Sequence, residues 1–230
     1  MKRLVVFSGA GMSAESGLTT FRDSGGLWEK YDIHEVATPE AWQANPELVL
    51  EFYNQRRTQV ESAHPNEAHK ALVELEHRYD VVVITQNIDD LHERAGTKNV
   101  IHLHGEIFKA RGSNGADKLY PIRGPLRLGD VSEDGSQLRP HVVWFGEPVP
   151  EYDRARRIIG TADILLIIGT SLNVYPAAGL IFHAPSDIPM YLVDPAEVVN
   201  PGISNLIYLK EFATIAVPKV VGELMAEVQD

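Results

Sequence analysis

The stretch Leu4-Val5-Val6-Phe7-Ser8-Gly9-Ala10-Gly11-Met12-Ser13-Ala14 decides the fold. Its first four residues are apolar, as in a strand buried on both faces. Gly9 to Ala14 then fits G-x-G-x-x-[GA]. Such glycines allow a tight turn and bring the backbone close to a pyrophosphate, which meets the N-terminus of the following helix. Taken alone, the motif fits a plain strand–helix turn equally well. A dehydrogenase would add a second strand ending in Asp or Glu about twenty residues on. Here that stretch, Thr19 to Trp28, is no strand. A dinucleotide is expected, but not for standard hydride transfer.

Similar short apolar runs recur at Val81–Ile84, Val100–Leu103, Ile164–Ile168, Met190–Val193 and Ile215–Val217. Helical spacing lies between them. Ala68, Ala71, Leu72 and Leu75 follow Pro65, and Val220, Val221, Leu224, Met225 and Val228 follow Pro218, read as a helix start. The alternation predicts an α/β, Rossmann-like, doubly wound parallel sheet. Two connections exceed plain crossovers: Ser8 to Asp80, with a helix over Glu47–Val60, and Lys109 to Pro140, rich in Gly, Ser and Asp. They are read as insertions building a small module, about 26–75 and 109–140. The large part is then about 1–25, 76–108 and 141–230, within one catalytic domain.

Composition narrows the function. The 230 residues carry 21 Lys and Arg against 32 Asp and Glu, a net charge of −11. That disfavours nucleic acid and suits a cationic partner such as a lysine-bearing peptide. There is no cysteine, which excludes disulfides, thiolate zinc sites, iron–sulfur clusters and cysteine nucleophiles. No apolar run approaches the length of a membrane span, and the apolar stretch near Met1 is short for a signal peptide. A cytoplasmic protein without membrane partners is the expectation. The oligomeric state is open.

Polar motifs follow five of the predicted strands: Ser8-Gly9-Ala10-Gly11, Gln86-Asn87-Ile88-Asp89, His104-Gly105, Gly169-Thr170-Ser171 and Asp194-Pro195. The carboxyl ends of parallel strands form one edge, where ligands bind, so all five would share a cleft. His104 there suits a structural residue or a base of near-neutral pKa. His102 is read as facing the other side of its strand, as a structural residue. Asn87 and Asp89 suit a helix-capping turn. Tyr53 and Arg56 stand three apart on the predicted helix and share a face. Spacing alone makes that face solvated. Val143-Trp144-Phe145-Gly146 reads as a core strand.

As a set, the motifs are more specific. Gly9-Ala10-Gly11-Met12-Ser13-Ala14-Glu15-Ser16-Gly17 with Phe21-Arg22 resembles the opening signature of the sirtuins, NAD-dependent protein lysine deacylases. So do Thr85-Gln86-Asn87-Ile88-Asp89, Leu103-His104-Gly105, Val143-Trp144-Phe145-Gly146-Glu147 and Gly169-Thr170-Ser171, in family order. The resemblance implies NAD as cofactor and acyl-lysine proteins or peptides as substrates. In the family the acyl oxygen attacks C1′ of the nicotinamide ribose, nicotinamide leaves, and the acyl group ends on ADP-ribose. His104 would be the base for the ribose hydroxyls, with Asn87 and Asp89 around the nicotinamide and the reacting ribose. Cofactor contacts would come from Gly9, Ala10, Gly11, Ser13, Ala14, a loop with Phe21, Arg22 and Trp28, and Gln86, Asn87, Ile88 and Asp89. Gly169, Thr170 and Ser171 would complete them. Val143, Phe145 and Gly146 would bind the peptide. Tyr53 and Arg56 match the Tyr-x-x-Arg pair of the class III sirtuins, which meets the carboxylate of succinyl-, malonyl- or glutaryl-lysine.

Two departures stand out. Most sirtuins hold zinc with four cysteines in the second insertion, whereas Gly112-Ser113-Asn114-Gly115 occupies the region of the first pair. No zinc is expected, because Asp117, Asp130, Asp134 and His141 do not have zinc-ligand spacing. Where the family often shows Asn-x-Glu at the adenosine ribose, Leu192-Val193-Asp194 stands instead. Asp194 is expected at the ribose hydroxyls and Ala213 beside the adenine. The predicted function is removal of acetyl and, preferentially, acidic acyl groups from lysine. A mono-ADP-ribosyltransferase and a catalytically silent NAD-sensing module are the rivals.

Overall fold

Leu4 and Val6 of β1 (Arg3–Ser8) face one side of the main sheet, Val5 and Phe7 the other, and all four are fully buried. This two-sided burial makes the run continuously apolar. The structure is a computed structural model that describes residues 1–19, 30–115, 117–198 and 202–227. β1 pairs in parallel with β2 (Asp80–Thr85) and with β7 (Ile164–Ile168). β3 (Val100–His102), β8 (Met190–Val193) and β9 (Leu206–Leu209) complete a six-stranded sheet in the order β3-β2-β1-β7-β8-β9. All its pairings are parallel, so the expected Rossmann-like doubly wound sheet is present.

Helices cover both faces. On one, α5 (Glu67–Leu75) buries Ala68, Leu72 and Leu75, and α8 (Ala213–Glu227) buries Ala216, Val217, Val220 and Leu224. α5, grouped by sequence with the small module, therefore packs on the large sheet. On the other face lie α7 (Tyr152–Ile159) and a 3₁₀ helix, Ala177–His183.

One predicted strand needs correction. Ile215–Val217 belongs to α8, Pro218 lies inside that helix rather than at its start, and the sixth strand is Leu206–Leu209. A three-residue apolar run reads alike in a strand and in a buried helix. What decides is the longer period: Ala213, Ala216, Val217, Val220, Val221 and Leu224 are buried while Ile215 is half-exposed.

The second excursion holds more order than its composition suggests. β4 (Gly105–Gly112) pairs antiparallel with β5 (Leu119–Pro121) and with β6 (Leu138–Val142). Against this sheet packs α4 (Pro46–Ser62), with Val49, Phe52, Tyr53 and Val60 meeting Ile107, Val142 and Trp144. Buried Arg57 of α4 donates to the Ile107 carbonyl at 2.9 Å and to Asn54 at 2.6 Å. Asn54 in turn exchanges two hydrogen bonds with the Leu126 backbone. At the far end, Asp134 accepts from Ser132 at 2.6 Å, from the Ser136 N–H at 2.9 Å and from Asn114 at 2.5 Å. Asp130, also weighed as a zinc substitute, accepts from the Arg127 N–H at 2.7 Å. Hydrogen bonds thus tie together the segments around Asn114 and Ser132–Ser136.

Candidate active site

Sheet register fixes the level of each motif. Ser8 is aligned with Thr85 and with Ile168, Thr85 with His102, and Ile168 with Val193. Gly9, Gln86, Leu103, Gly169 and Asp194 therefore all leave the sheet at one edge. Above it opens a cavity of about 780 Å³. Every described candidate site residue lines it: Gly9 to Gly11, Ser13 and Ala14, Gln86 to Asp89, His104, Gly169 to Ser171, Asp194 and Ala213. Tyr53, Arg56, Val143, Phe145 and Gly146 line it too. Phe21, Arg22 and Trp28 lie outside the described residues.

The glycines serve first to bring two loops together. Gly11 N–H donates to the Gly169 carbonyl at 2.8 Å. A Cβ on Gly9 would stand 2.8 Å from that same oxygen, and one on Gly169 (φ +62°) only 2.2 Å from Met12 N. The following helix, α1 (Gly11–Ala14), is a single turn. The β1 and β7 loops thus pack backbone to backbone and form a continuous floor at this edge.

Asn87 joins the β1 and β2 loops. Its side-chain amide donates to the Gly9 carbonyl at 3.0 Å and to Ser13 Oγ at 3.1 Å. Ser13 Oγ donates to the Asp89 carboxylate at 3.0 Å, and Leu91 N–H, at the start of α6 (Leu91–Ala95), donates to its other oxygen at 3.2 Å. Asp89, one residue before the N-cap Asp90, thus holds the first N–H of α6 while bracing the β1 loop through Ser13. Burial raises its pKa, against the pull of Leu91, Ser13 and nearby Arg56.

His104 donates from Nδ1 to the Gln86 carbonyl at 3.0 Å. A carbonyl only accepts, so the neutral ring keeps its lone pair on Nε2. Burial lowers the His104 pKa despite that hydrogen bond, favouring the neutral, basic form. His102 does not merely brace the strand. Its Nδ1 lies 3.0 Å from the Asn87 carbonyl oxygen and its Nε2 2.7 Å from Glu93 Oε1. The two histidines therefore hold consecutive carbonyls of one loop, a relation that spacing alone did not reveal.

Tyr53 lies buried among apolar neighbours and Arg56 beside it is half-buried, rather than on a solvated face. Tyr53 is 2 % exposed, and burial raises its pKa strongly. Burial lowers that of Arg56. Arg56 donates to the Thr19 carbonyl and to Gln59, each at a long 3.3 Å. Val143 N–H donates to the His104 carbonyl at 2.9 Å, and Phe145 N–H to that of Ala37 at 3.0 Å. Glu147, the last residue of the Val143–Glu147 motif, and Arg139, unremarked in the sequence, hold this stretch. They pair at 2.7 Å while Glu147 accepts from Trp144 N–H at 2.8 Å. Arg139 donates to the Val142 carbonyl at 2.9 Å and lies over the Trp144 ring. Glu15, quoted in the opening signature but given no role there, lines the cavity too: its carboxylate accepts from Thr214 N–H at 3.0 Å, joining the segment after α1 to α8. The Glu15 contact spans 199 positions and leaves no periodic trace in sequence.

Among the described residues no helix is long and apolar enough to cross a membrane, and no three His, Cys, Asp or Glu side chains are grouped to hold a metal ion.

Residues 9–176 match the Sir2 family. A Helicobacter pylori (strain J99) protein named NAD-dependent protein deacylase is 55% identical over 195 residues, covering 85% of this chain and 83% of its own. A protein of the same name from Bacteroides thetaiotaomicron is 53% identical over 204 residues, with 86% and 87% covered. A crystal structure of a Sir2 homolog–NAD complex superposes with a TM-score of 0.89 at 37% identity, covering 99% of this chain and 91% of that one. The chain belongs to the Sir2 family.

Proposed function

We propose that the protein uses NAD to remove acyl groups from lysine side chains of proteins, with a preference for succinyl-, malonyl- and glutaryl-lysine. One observation carries the reading: His104 and the Tyr53–Arg56 pair line the same cavity. A base and an anion-recognising pair are thus available to a single bound substrate. The names of the relatives support the NAD-dependent deacylase part.

The backbone floor of Gly9, Gly11 and Gly169 suits a diphosphate, and the buried Asp194 carboxylate, 2 % exposed, suits ribose hydroxyls. When bound, NAD supplies a ribose carbon that loses nicotinamide and a ribose that accepts the acyl group. Asn87 and Asp89 hold the reacting sugar and the amide in register. His104, its lone pair on Nε2, takes a proton from a ribose hydroxyl. Val143 to Gly146 seat the peptide backbone, as an extended chain beside a strand. Arg56 pairs with the acyl carboxylate and Tyr53 adds a hydrogen bond. We also propose that the enzyme works without zinc, since it has no thiolate ligands and Asp134 is engaged by Ser132, Ser136 and Asn114.

The test is to incubate the protein with NAD and acetyl- or succinyl-lysine peptide and to weigh the products. Deacylated peptide with O-acyl-ADP-ribose is the expected result. ADP-ribosylated protein, or NAD binding without turnover, would overturn it.

A further inference from the structure

His102 is two residues before the proposed base and takes no part in the chemistry above. Its side chain is 8% exposed, between the Asn87 carbonyl at 3.0 Å and the Glu93 carboxylate at 2.7 Å. Neither partner can donate a proton. A neutral imidazole has one N–H and would set its lone pair against one of these oxygens. Only the imidazolium satisfies both. Other charges nearby allow it. Glu106 and Asp89 lie within electrostatic reach, as does His92, which is kept neutral by burial. Lys109, within electrostatic reach of Glu93, forms an ion pair with Glu106 at 2.7 Å. Burial alone would lower the His102 pKa, but Glu93, the Asn87 carbonyl and Glu106 together raise it.

The held carbonyl belongs to Asn87, whose side chain bridges Gly9 and Ser13, while Ser13 holds Asp89. Glu93 sits on α6, the helix that the same loop leads into. We propose, on the basis of the deacylase reading above, that His102 is a positioning residue: as an imidazolium bound to Glu93, it clamps the Asn87 carbonyl and so fixes the Asn87–Asp89 loop for reaction. It touches neither substrate nor cofactor. Its effect therefore falls on turnover, while binding of the acyl peptide changes little.

Two near-isosteric substitutions divide the two hydrogen bonds. His102→Asn keeps a donor where Nδ1 was, facing the Asn87 carbonyl. His102→Gln keeps one where Nε2 was, facing Glu93. Both lose the buried cation, so both should lower Tm by similar amounts. If His102 is a clamp, His102→Asn retains kcat within a few-fold while His102→Gln loses about 10- to 100-fold, the scale of a misplaced catalytic group. The KM for the acyl peptide should stay within about threefold in both, as expected when only the reacting geometry is disturbed. Nitrogen NMR of the wild-type ring should show both nitrogens protonated at neutral pH. Amide hydrogen exchange at residues 87–89 should accelerate in His102→Gln and not in His102→Asn. A neutral ring, or two variants whose kcat and exchange follow Tm alike, overturns the clamp. A wild-type protein that does not deacylate sinks the functional reading instead, and the NMR and exchange measurements still decide the role of His102.

Discussion

His104 Nδ1 lies 3.0 Å from the carbonyl oxygen of Gln86, eighteen positions earlier in the chain. That contact assigns the tautomer, because an acceptor on Nδ1 leaves the lone pair on Nε2. It also ties the His104 ring to the β2 loop, one residue before Asn87.

His104→Ala should therefore lower turnover by at least ~10²-fold, the usual scale for loss of a general base. NAD affinity should stay within several-fold, since the floor of Gly9, Gly11 and Gly169 is untouched. The acid limb of the wild-type kcat/KM profile should fall below the ordinary histidine pKa of 6.5, because burial lowers that of His104. Near-wild-type turnover in the variant would remove His104 from the mechanism.

Arg56→Met keeps an aliphatic stem and deletes the guanidinium. An acyl carboxylate entering this buried end of the cavity would then be unpaired. Losing one partner of such a pair costs about 2–4 kcal/mol, roughly 30- to 700-fold in kcat/KM. Succinyl-lysine hydrolysis should fall by that order and acetyl-lysine hydrolysis should change little. Tyr53→Phe should cost less, about 1–2 kcal/mol, because one hydrogen bond is lost. The succinyl-to-acetyl ratio in wild type and variant is the decisive quantity. An equal fall on both substrates makes Arg56 structural and sinks the acidic-acyl preference.

The small module should be insensitive to chelators and sensitive at Gly112. A structural zinc would contribute to the folding free energy, so its removal would lower Tm. Chelator should leave Tm unchanged, and elemental analysis should find less than one zinc per chain. A Cβ on Gly112 would stand 2.6 Å from Ser136 Oγ, 3.0 Å from Asn114 Oδ1 and 3.1 Å from Ser132 Oγ. Gly112→Ala should therefore destabilise by about 1–3 kcal/mol, as overpacking does. Thermal melts check both expectations, and a tightly held zinc would refute the first.

Stability should fall as pH drops from about 6.5 to 4. His69 is fully buried against His92, with ring centroids 4.9 Å apart. Burial, and then the charge of Arg94, lower its pKa from 6.5 to about 4. The unfolded chain binds this proton near pH 6.5 and the folded chain only near 4. Between these values the unfolded state binds more protons, so acid favours unfolding. The shift corresponds to about 3 kcal/mol once the pH is below 4. His92, also lowered by burial, acts with the same sign. His102 has a raised pKa, so its contribution is present below its unfolded pKa and is lost only as pH rises through its folded value. His69→Gln keeps a hydrogen-bonding group at this capping-box position and removes the titration. Denaturant unfolding of the variant should show a shallower acid slope, and an unchanged slope would contradict the assignment.

The sheet and its ligand edge were legible in the linear chain. Runs such as Val81–Ile84 and Ile164–Ile168 are apolar throughout because helices cover both faces of their strands. Glycine and polar residues follow them because the carboxyl edge is where the apolar constraint ends. Local chemistry of this kind survives in a linear string. It failed where a short run supports two periods, as at Ile215–Val217, and at Leu206–Leu209, an edge strand with little burial. Only folding settled how Tyr53 and Arg56 join the strand-end motifs in one cavity and which ring nitrogens carry protons. Tyr53 and Arg56 look solvated by spacing, yet Tyr53 is buried and Arg56 half-buried because the three-stranded sheet packs across α4. His102 and His104 look alike in sequence. They differ because one meets a carboxylate and a carbonyl, and the other a single carbonyl. Such contacts join residues far apart in the chain, and hydrogen bonding and desolvation act only once folding has brought them within a few ångströms.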